Sequence, residues 1–269
     1  MSARDFAFEG DPIAVDEEGE GPVFAFQHGL CGDAAQAADA FPRGAGWRRA
    51  TLEMPGHGRS PPGDPARPSI ARYADALAAW IEARARAPVV VGGISMGAAI
   101  ALRLAVVRPD LVRALALVRP AWLFEAAPPN MAMYGEVGDL LAAHGPARGL
   151  ALFRASDLAA RLAREAPDNL ATFEGFFARE PASATAELLR RIARDGPGID
   201  AEDAARIGKP TIVVGNRRDA AHPIGFARDL ARAIPGARFV EVAAKADDRA
   251  RHLAEVRAAL AQFLEGLMP

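Results

Sequence analysis

The chain has 269 residues, of which 51% are hydrophobic and 25% are charged, and 32 basic residues nearly balance 34 acidic ones. This length suits one large domain with an insertion or two domains, and a net charge of −2 without a basic stripe excludes a nucleic-acid groove. The only cysteine is Cys31, which excludes an intramolecular disulfide. The first five residues lack an apolar signal core, and no later run reaches the length of a membrane span. We therefore expect a cytoplasmic protein that binds neither membranes nor nucleic acids.

Strand-like and helix-like stretches alternate along the first 118 residues. A hairpin is predicted over 5–15, where apolar and polar residues alternate around Gly10 and Pro12. Mainly apolar runs predict buried strands at 23–27, 88–92 and 112–118, and a further strand is predicted at 48–54. Helices are predicted between them over 34–41, 70–81 and 96–108, with Ser69 as the cap of the second. Continuous apolar strands separated by helices indicate a parallel sheet that is covered on both faces.

The pattern changes between residues 119 and 207, where no convincing strand occurs. Short helical stretches are broken there at Gly145-Pro146, Pro167, Pro181 and Gly196-Pro197-Gly198. The alternation then resumes with a strand at 211–215, a helix at 224–234, a strand at 238–242 and a closing helix at 248–264. We therefore predict a core domain of residues 1–118 and 208–269, with an inserted helical cap over 119–207.

The motif that carries the clearest chemistry is Gly93-Ile94-Ser95-Met96-Gly97, which lies between a predicted strand and a predicted helix. A strand that turns sharply into a helix through Gly-x-Ser-x-Gly forms a nucleophile elbow, in which glycines let the two elements pack closely around a strained turn. The serine hydroxyl then stands clear of the sheet at the positive end of a helix. We therefore predict Ser95 as a nucleophile.

Four motifs together resemble the α/β-hydrolase fold family over nearly the whole chain outside the predicted cap. In chain order they are His28-Gly29-Leu30, Gly56-His57-Gly58-Arg59-Ser60, Gly93-Ile94-Ser95-Met96-Gly97, and Gly215-Asn216-Arg217-Arg218-Asp219 followed four residues later by Pro223. The resemblance implies an α/β fold with a mostly parallel central sheet, helices on both faces and an inserted helical cap. The motifs are much less specific for the reaction, because one fold hosts many chemistries.

The resemblance also implies roles for residues near Ser95. The backbone N–H of Met96, at a helix N-terminus, would be one donor of an oxyanion hole, and the N–H of Leu30 would be the second. Asp219, at the end of the strand at 211–215, matches the acid of the family's catalytic triad.

Several residues near these motifs are candidates for lining a substrate pocket. The resemblance implies that His28 and His57 shape the oxyanion loop and a structural turn, and that neither is the catalytic base. Gly29 and Cys31 border the same loop, although a small thiol is also common in a protein core. Trp122 lies in the apolar part of the predicted cap, which would form a lid over the site.

The histidine that should activate the serine is missing from its expected position. A serine hydroxyl needs a base within hydrogen-bond reach, and the family places a histidine just after the last strand. Here Val242 is followed by Ala-Ala-Lys-Ala-Asp-Asp-Arg, in which no histidine occurs.

Three residues are candidates for this base, and the sequence leaves the choice open. His222 follows Asp219 by three residues, at a position that tends to face the pocket in the family, although the triad order would be unusual. His252 comes later but falls inside the predicted closing helix, where a packed helix residue fits the pattern equally well. Lys245 stands where the family histidine is expected, and a desolvated lysine can act as a base. Its ordinary alternative is an ion pair with Asp219 or Asp247.

The leading functional hypothesis is a hydrolase that cleaves a small ester, thioester or related acyl substrate through a Ser95 acyl-enzyme. The missing histidine motivates a second hypothesis, a catalytically impaired ligand-binding protein on the same fold. A third is a cofactor-free lyase or oxygenase-type enzyme. We expect no metal or cofactor, because no group of histidines and carboxylates has ligand spacing. The expected partner is a small-molecule substrate, whether the protein is a monomer or a homodimer.

Overall fold

The computed structural model describes residues 5–268, and it confirms the predicted α/β fold class. Within these residues the strands are β1 (Phe6–Phe8), β2 (Asp11–Glu18), β3 (Val23–Gln27), β4 (Arg48–Glu53), β5 (Val89–Ile94), β6 (Val112–Val118), β7 (Thr211–Asn216) and β8 (Arg238–Val242). The helices are α1 (Ala34–Ala40), α2 (Ile70–Arg84), α3 (Met96–Val107), α4 (Ala132–Arg154), α5 (Asp157–Glu165), α6 (Pro167–Phe176), α7 (Ala182–Ala193), α8 (Ala201–Ala205), α9 (Ile224–Ala233) and α10 (Arg249–Glu265). The predicted strands and helices therefore exist, with boundaries that shift by a few residues.

The strands form one sheet in the order β1-β2-β4-β3-β5-β6-β7-β8. β1 and β2 pair in antiparallel fashion, as do β2 and β4, whereas all the other pairs are parallel. Because the carboxyl ends of parallel strands meet at one edge, the loops after β3, β5, β6, β7 and β8 gather there. Open α/β sheets bind their ligands outside this edge.

Both faces of the sheet are buried at its centre, which explains why β5 and β7 are mainly apolar without alternation. Val91, Leu115 and Val213 belong to the core shared with α2, α3 and α9. Val90 and Ile212 point the other way, into the core shared with α1 and α10. Successive strand residues therefore alternate between two hydrophobic layers rather than between core and solvent.

Residues 119–207 form a helical segment between β6 and β7, and the described residues contain no strand there. Its helices are kinked, or begin, where glycine and proline predict breaks. Gly145 has a φ of 70° inside α4, Pro167 is the first residue of α6, and Pro181 precedes α7. Aromatic side chains pack inside the segment, namely Tyr134, Phe153, Phe173, Phe176 and Phe177. Within residues 5–268, no helix is long and apolar enough to cross a membrane.

Candidate active site

Ser95 occupies the sharp turn between β5 and α3, at the carboxyl edge of the sheet. Its backbone has a φ of 56° and a ψ of −111°, a conformation that non-glycine residues rarely adopt. Its N–H donates to the Val118 carbonyl at 2.9 Å, which ties the turn to the end of β6. The hydroxyl has no hydrogen-bond partner within residues 5–268, and the residue is 7% exposed. The turn therefore positions a nearly buried hydroxyl that forms no hydrogen bond with the described protein groups.

The two flanking glycines are required by close packing at this turn. A Cβ on Gly93 would lie 2.6 Å from the Gly97 carbonyl carbon, and a Cβ on Gly97 would lie 2.4 Å from the Gln27 carbonyl oxygen. Both distances are shorter than any real side chain tolerates, and both obstacles are backbone atoms. The motif therefore allows β5, α3 and the end of β3 to approach one another.

The loop after β3 and the first turn of α3 carry the two N–H groups that are predicted from the sequence as oxyanion donors. The N–H groups of Leu30 and Met96 donate to no protein acceptor among the described residues. Gly29 N–H instead donates to Gln36 Oε1 at 2.7 Å, which anchors the loop to α1. Leu30 lines the same small cavity as Ser95, and Met96 is the first residue of α3. Two backbone donors are thus available beside the hydroxyl.

His28 is a structural residue whose ring nitrogens are both engaged. Nδ1 donates to the Gly29 carbonyl at 2.9 Å, and Nε2 accepts from the Met54 N–H at 3.2 Å. Burial lowers its pKa, so the neutral ring persists. It stacks on His57 at 4.7 Å between ring centroids, and neither side chain lines the cavity at Ser95. The pocket role expected for His28 is therefore corrected to that of supporting the loop.

His222 and Asp219 form a buried pair on the loop after β7. His222 Nδ1 lies 2.9 Å from Asp219 Oδ1. Because a carboxylate only accepts hydrogen bonds, this contact requires the proton on Nδ1 and leaves a lone pair on Nε2. Nε2 is buried and has no hydrogen-bond partner within the described chain. His222 lines the cavity that Ser95 also lines, a space of about 50 Å³ that we call the serine cavity.

Arg119, the first residue after β6, holds the other oxygen of Asp219. Its Nε and Nη2 donate to Asp219 Oδ2 at 2.8 and 2.6 Å. Burial alone would raise the pKa of Asp219, but the charge of Arg119 outweighs burial, the hydrogen bond from His222 adds to its effect, and together they hold this pKa well below its usual range. Asp219 is therefore an ionised carboxylate that orients its neighbours.

The same surroundings keep His222 neutral. Burial lowers its pKa most, Asp219 opposes this effect, and the positive charge of Arg119 adds to the lowering. Arg119 Nη2 also lies 3.2 Å from His222 Nδ1, but a guanidinium can only donate and the shorter contact belongs to the carboxylate. The environment therefore favours a neutral imidazole with an available Nε2.

Two asparagines from the helical segment hold the loop that carries this pair. Asn169 Nδ2 donates to Asp219 Oδ1 at 3.0 Å, and its Oδ1 accepts from the Ala220 N–H at 2.7 Å. Asn130 Nδ2 donates to the carbonyls of Ala121 at 2.9 Å and Ala221 at 2.8 Å. The position of the pair thus depends on contacts between the helical segment and the sheet domain.

Comparison with known proteins identifies the family to which this fold belongs. A model of the alpha/beta hydrolase fold family matches residues 22–247, which is most of the chain. The protein belongs to the α/β-hydrolase fold family. A relative named carbamate hydrolase RutD, from Klebsiella pneumoniae subsp. pneumoniae, is 34% identical over 184 residues that cover 66% of each chain. The match thus spans slightly less than two thirds of that relative's length.

Solved structures show the same fold over almost the whole chain. A thermophilic esterase from Thermogutta terrifontis superposes with a TM-score of 0.71 at 20% identity, covering 97% of both chains. An enol-lactonase from Burkholderia xenovorans LB400 gives a TM-score of 0.70 at 22% identity, covering 97% of this chain and 99% of the other. At these identities the likeness establishes the fold alone.

In this α/β-hydrolase-fold protein, the other two candidate bases have different surroundings. Lys245 donates to Asp168 Oδ2 at 2.9 Å, rather than pairing with Asp219 or Asp247, the two partners considered from the sequence. It still lines the serine cavity. His252 lies in α10, as its position in the sequence indicates, and its Nδ1 donates to the Ala243 carbonyl at 2.9 Å.

His252 does not line the serine cavity but a second space of about 310 Å³, which we call the side cavity. Burial lowers the pKa of His252, so this ring is also neutral. Among the three candidates, His222 alone combines an unpaired ring nitrogen with a place in the serine cavity.

Two expected pocket residues lie elsewhere. Trp122 is buried in the helical segment, where its Nε1 donates to the Asp195 carbonyl at 2.9 Å. Cys31 lies in the loop after β3 with a φ of 58°, and burial raises the pKa of its thiol to about 11. Neither side chain lines the serine cavity, so both pocket interpretations are corrected, whereas Gly29 does line it.

The sequence interpretation missed Arg119 and Asn169. A signal existed for Arg119, because it directly follows the apolar strand beside β5, and neighbouring parallel strands end at the same edge. No comparable signal marks Asn169, which lies in an ordinary helix 50 residues before Asp219. Within the described residues, no group of three or more histidine, cysteine, aspartate or glutamate side chains is arranged to hold a metal ion.

Proposed function

We propose that the protein is a hydrolase that cleaves a small ester, thioester or related acyl substrate through an acyl-enzyme on Ser95. The observation that supports this proposal most is the unpaired Nε2 of His222 in the serine cavity, with Nδ1 held by ionised Asp219. The printed names of the relatives support the reaction class, since carbamate hydrolase, esterase and lactonase all denote the cleavage of an acyl group.

In the proposed reaction, Ser95 Oγ attacks the substrate carbonyl carbon while its proton passes to His222 Nε2. The resulting imidazolium is stabilised by Asp219, which remains ionised. The N–H groups of Leu30 and Met96 donate to the negative oxygen of the tetrahedral intermediate, and each such donor lowers the barrier by about 2.7–4 kcal/mol. His222 then gives its proton to the leaving group. Water, activated by the same nitrogen, releases the acyl group from Ser95.

The helical segment would act as the cap over this site. Its side chains supply one side of the serine cavity, from Tyr134 in α4 and from Asn169, Thr172, Phe173 and Phe176 in α6. A mainly apolar cover excludes water and strengthens the electrostatic interactions beneath it. The predicted division into a core of residues 1–118 and 208–269 and a cap of residues 119–207 is part of this proposal.

A fluorophosphonate probe tests the proposed nucleophile. We expect covalent labelling of the wild-type protein, loss of labelling in Ser95→Ala, and unchanged labelling in Ser183→Ala, which alters an exposed serine of α7. Equal labelling of Ser95→Ala and wild type would contradict the acyl-enzyme mechanism. Ligand binding without labelling or turnover would favour the impaired binding protein, and products other than those of hydrolysis would favour the lyase or oxygenase-type enzyme.

A further inference from the structure

The serine cavity and the side cavity adjoin each other at four shared residues: Gln36, Ile94, Arg119 and Lys245. The serine cavity encloses about 50 Å³, whereas the side cavity encloses about 310 Å³. The side cavity therefore offers room, beyond these four residues, for the part of a substrate that the serine cavity cannot hold. We call this boundary the neck.

Two cations at the neck, Arg119 and Lys245, use only some of their N–H donors in hydrogen bonds with the described protein groups. Arg119 uses Nε and Nη2 to bind Asp219, and its Nη1 donates to no acceptor among residues 5–268. Lys245 Nζ carries three N–H donors and gives one of them to Asp168 at 2.9 Å. Both side chains therefore keep donors that no described protein group satisfies.

Asp219 and Asp168 each pair with one of these cations from outside the cavity, and no carboxylate lines the described wall of the serine cavity itself to compete for their remaining donors. The side cavity has two acidic residues along its described lining, and both are already engaged. Asp39 lies 3.5 Å from Arg249, and Asp33 caps α1 by accepting the Gln36 N–H at 3.0 Å. Burial first, and then the neighbouring charge of Arg119, lowers the pKa of Lys245, so the two cations lie within electrostatic reach of each other. An anion between them would relieve this repulsion.

We propose that the neck binds a carboxylate of the substrate through Arg119 and Lys245. This inference rests on the proposed Ser95 hydrolase and adds a substrate class, namely small esters or lactones whose acyl part carries a carboxylate a few bonds from the reacting carbonyl. The guanidinium and the ammonium donate to the carboxylate. Apolar side chains of the side cavity, including Val118, Leu253 and Val256, accommodate the remaining carbon atoms.

Turnover of two matched esters tests this specificity. The first is monomethyl glutarate, and the second is its neutral amide analogue, in which –CONH₂ replaces the free carboxylate. We expect wild type to release methanol from the acid with a kcat/KM about tenfold higher than from the amide, since hydrogen bonds to a charged group are worth roughly this factor or more. We expect Lys245→Gln to remove most of this preference. Lys209→Gln changes the only other lysine, which lines neither cavity, and retains the preference.

A second variant separates anion binding from a merely structural role of Lys245. Asp168→Asn removes the same ion pair but keeps the ammonium, so it should preserve the preference for the acid. Equal losses in Asp168→Asn and Lys245→Gln would overturn the proposal, as would equal kcat/KM values for the two esters in wild type.

Binding to the Ser95→Ala protein separates this inference from the proposed function. Calorimetry should show that Ser95→Ala binds monomethyl glutarate about tenfold more tightly than Ser95→Ala/Lys245→Gln does. If that difference is found but wild type hydrolyses neither ester, the carboxylate site stands and the hydrolase proposal fails for this class. If wild type hydrolyses both esters equally, and Ser95→Ala/Lys245→Gln binds monomethyl glutarate as tightly as Ser95→Ala does, the hydrolase stands and the carboxylate site is refuted.

Discussion

Asp219 makes more hydrogen bonds than any other side chain of the candidate site. Its Oδ1 accepts from Asn169 Nδ2 and from the N–H and ring of His222, and its Oδ2 accepts twice from Arg119. These five donors exceed the roughly four lone-pair sites of a carboxylate. Asp219 therefore has no capacity left for substrate, and its role is to orient the His222 ring and hold its tautomer.

In the proposed mechanism, the lowered pKa of His222 would set the acid side of the pH–rate profile. A base works only when neutral, and burial together with Arg119 disfavours the imidazolium, so protonation requires a pH below the ordinary value of 6.5. We expect kcat/KM for a neutral ester to be constant from pH 7 to 8 and to fall only below pH 6.5. A fall that already begins above pH 7 would contradict the proposed environment of His222.

Removing the carboxylate of Asp219 should be costly because Arg119 would remain buried without a partner. Arg119 is 8% exposed, and loss of one member of a buried pair destabilises proteins by about 3–5 kcal/mol. We expect Asp219→Ala to lower the free energy of unfolding by about this amount in urea. The control Asp247→Ala breaks an exposed ion pair with Arg218 and should change the free energy of unfolding little. The double variant Arg119→Met/Asp219→Leu should recover part of the loss, and no recovery would contradict this explanation.

At the scale of elements, the candidate site depends on how closely β3, β5 and α3 approach at the elbow. The strained φ of Ser95 persists because Gly93 and Gly97 allow contacts that a Cβ would block. The N-terminus of α3 also brings its positive end to the turn. Packing of the elements, rather than side-chain hydrogen bonds, therefore fixes the hydroxyl.

A methyl group at Gly97 should disrupt this packing. Its Cβ would lie 2.4 Å from the Gln27 carbonyl oxygen, so β3 or α3 must shift. We expect Gly97→Ala to lower the free energy of unfolding by at least about 1–3 kcal/mol and to reduce fluorophosphonate labelling. The control Gly225→Ala places its Cβ in open space within α9 and should be neutral or stabilising by up to about 1 kcal/mol. Equal stability of the two variants would contradict the packing role of Gly97.

At the scale of the whole molecule, the helical segment and the sheet domain meet over Ser95. Asp168 and Asn169 of α6 contact Lys245 and Asp219, one from each of the loops after β8 and β7. Thr172, on the next turn of α6, is exposed and lines the serine cavity. Substrate access should therefore be sensitive to bulk at this position.

We expect Thr172→Trp to lower kcat/KM for a neutral ester at least severalfold, because the indole would narrow access to the serine cavity. Ala171→Trp adds the same bulk at a neighbouring exposed position that does not line the cavity, and should have little effect. Steady-state kinetics of both variants, with thermal denaturation as a check on folding, tests the proposed route. Similar losses in both variants would contradict it.

Much of the fold could be predicted because the sequence patterns that indicate its strands and helices involve residues close together in the chain. Continuous apolar runs indicated β3, β5, β6 and β7, and Ser69 does cap α2 by accepting the Arg72 N–H at 3.1 Å. The site was harder to predict because its contacts are distant in sequence. Arg119 reaches Asp219 across 100 residues, and Lys245 reaches Asp168 across 77. No periodicity or motif encodes such pairs, so the sequence alone left the choice among His222, His252 and Lys245 open.

The most direct test of the central claim, that His222 serves as the base for Ser95, compares hydrolysis of 4-nitrophenyl acetate by His222→Gln and His252→Gln. We expect His222→Gln to lose at least about 100-fold in kcat, the lower range for a general base, and to approach Ser95→Ala. His252→Gln can still donate to the Ala243 carbonyl and should stay within a few fold of wild type. Near-normal turnover by His222→Gln, together with loss of turnover in His252→Gln, would contradict the claim.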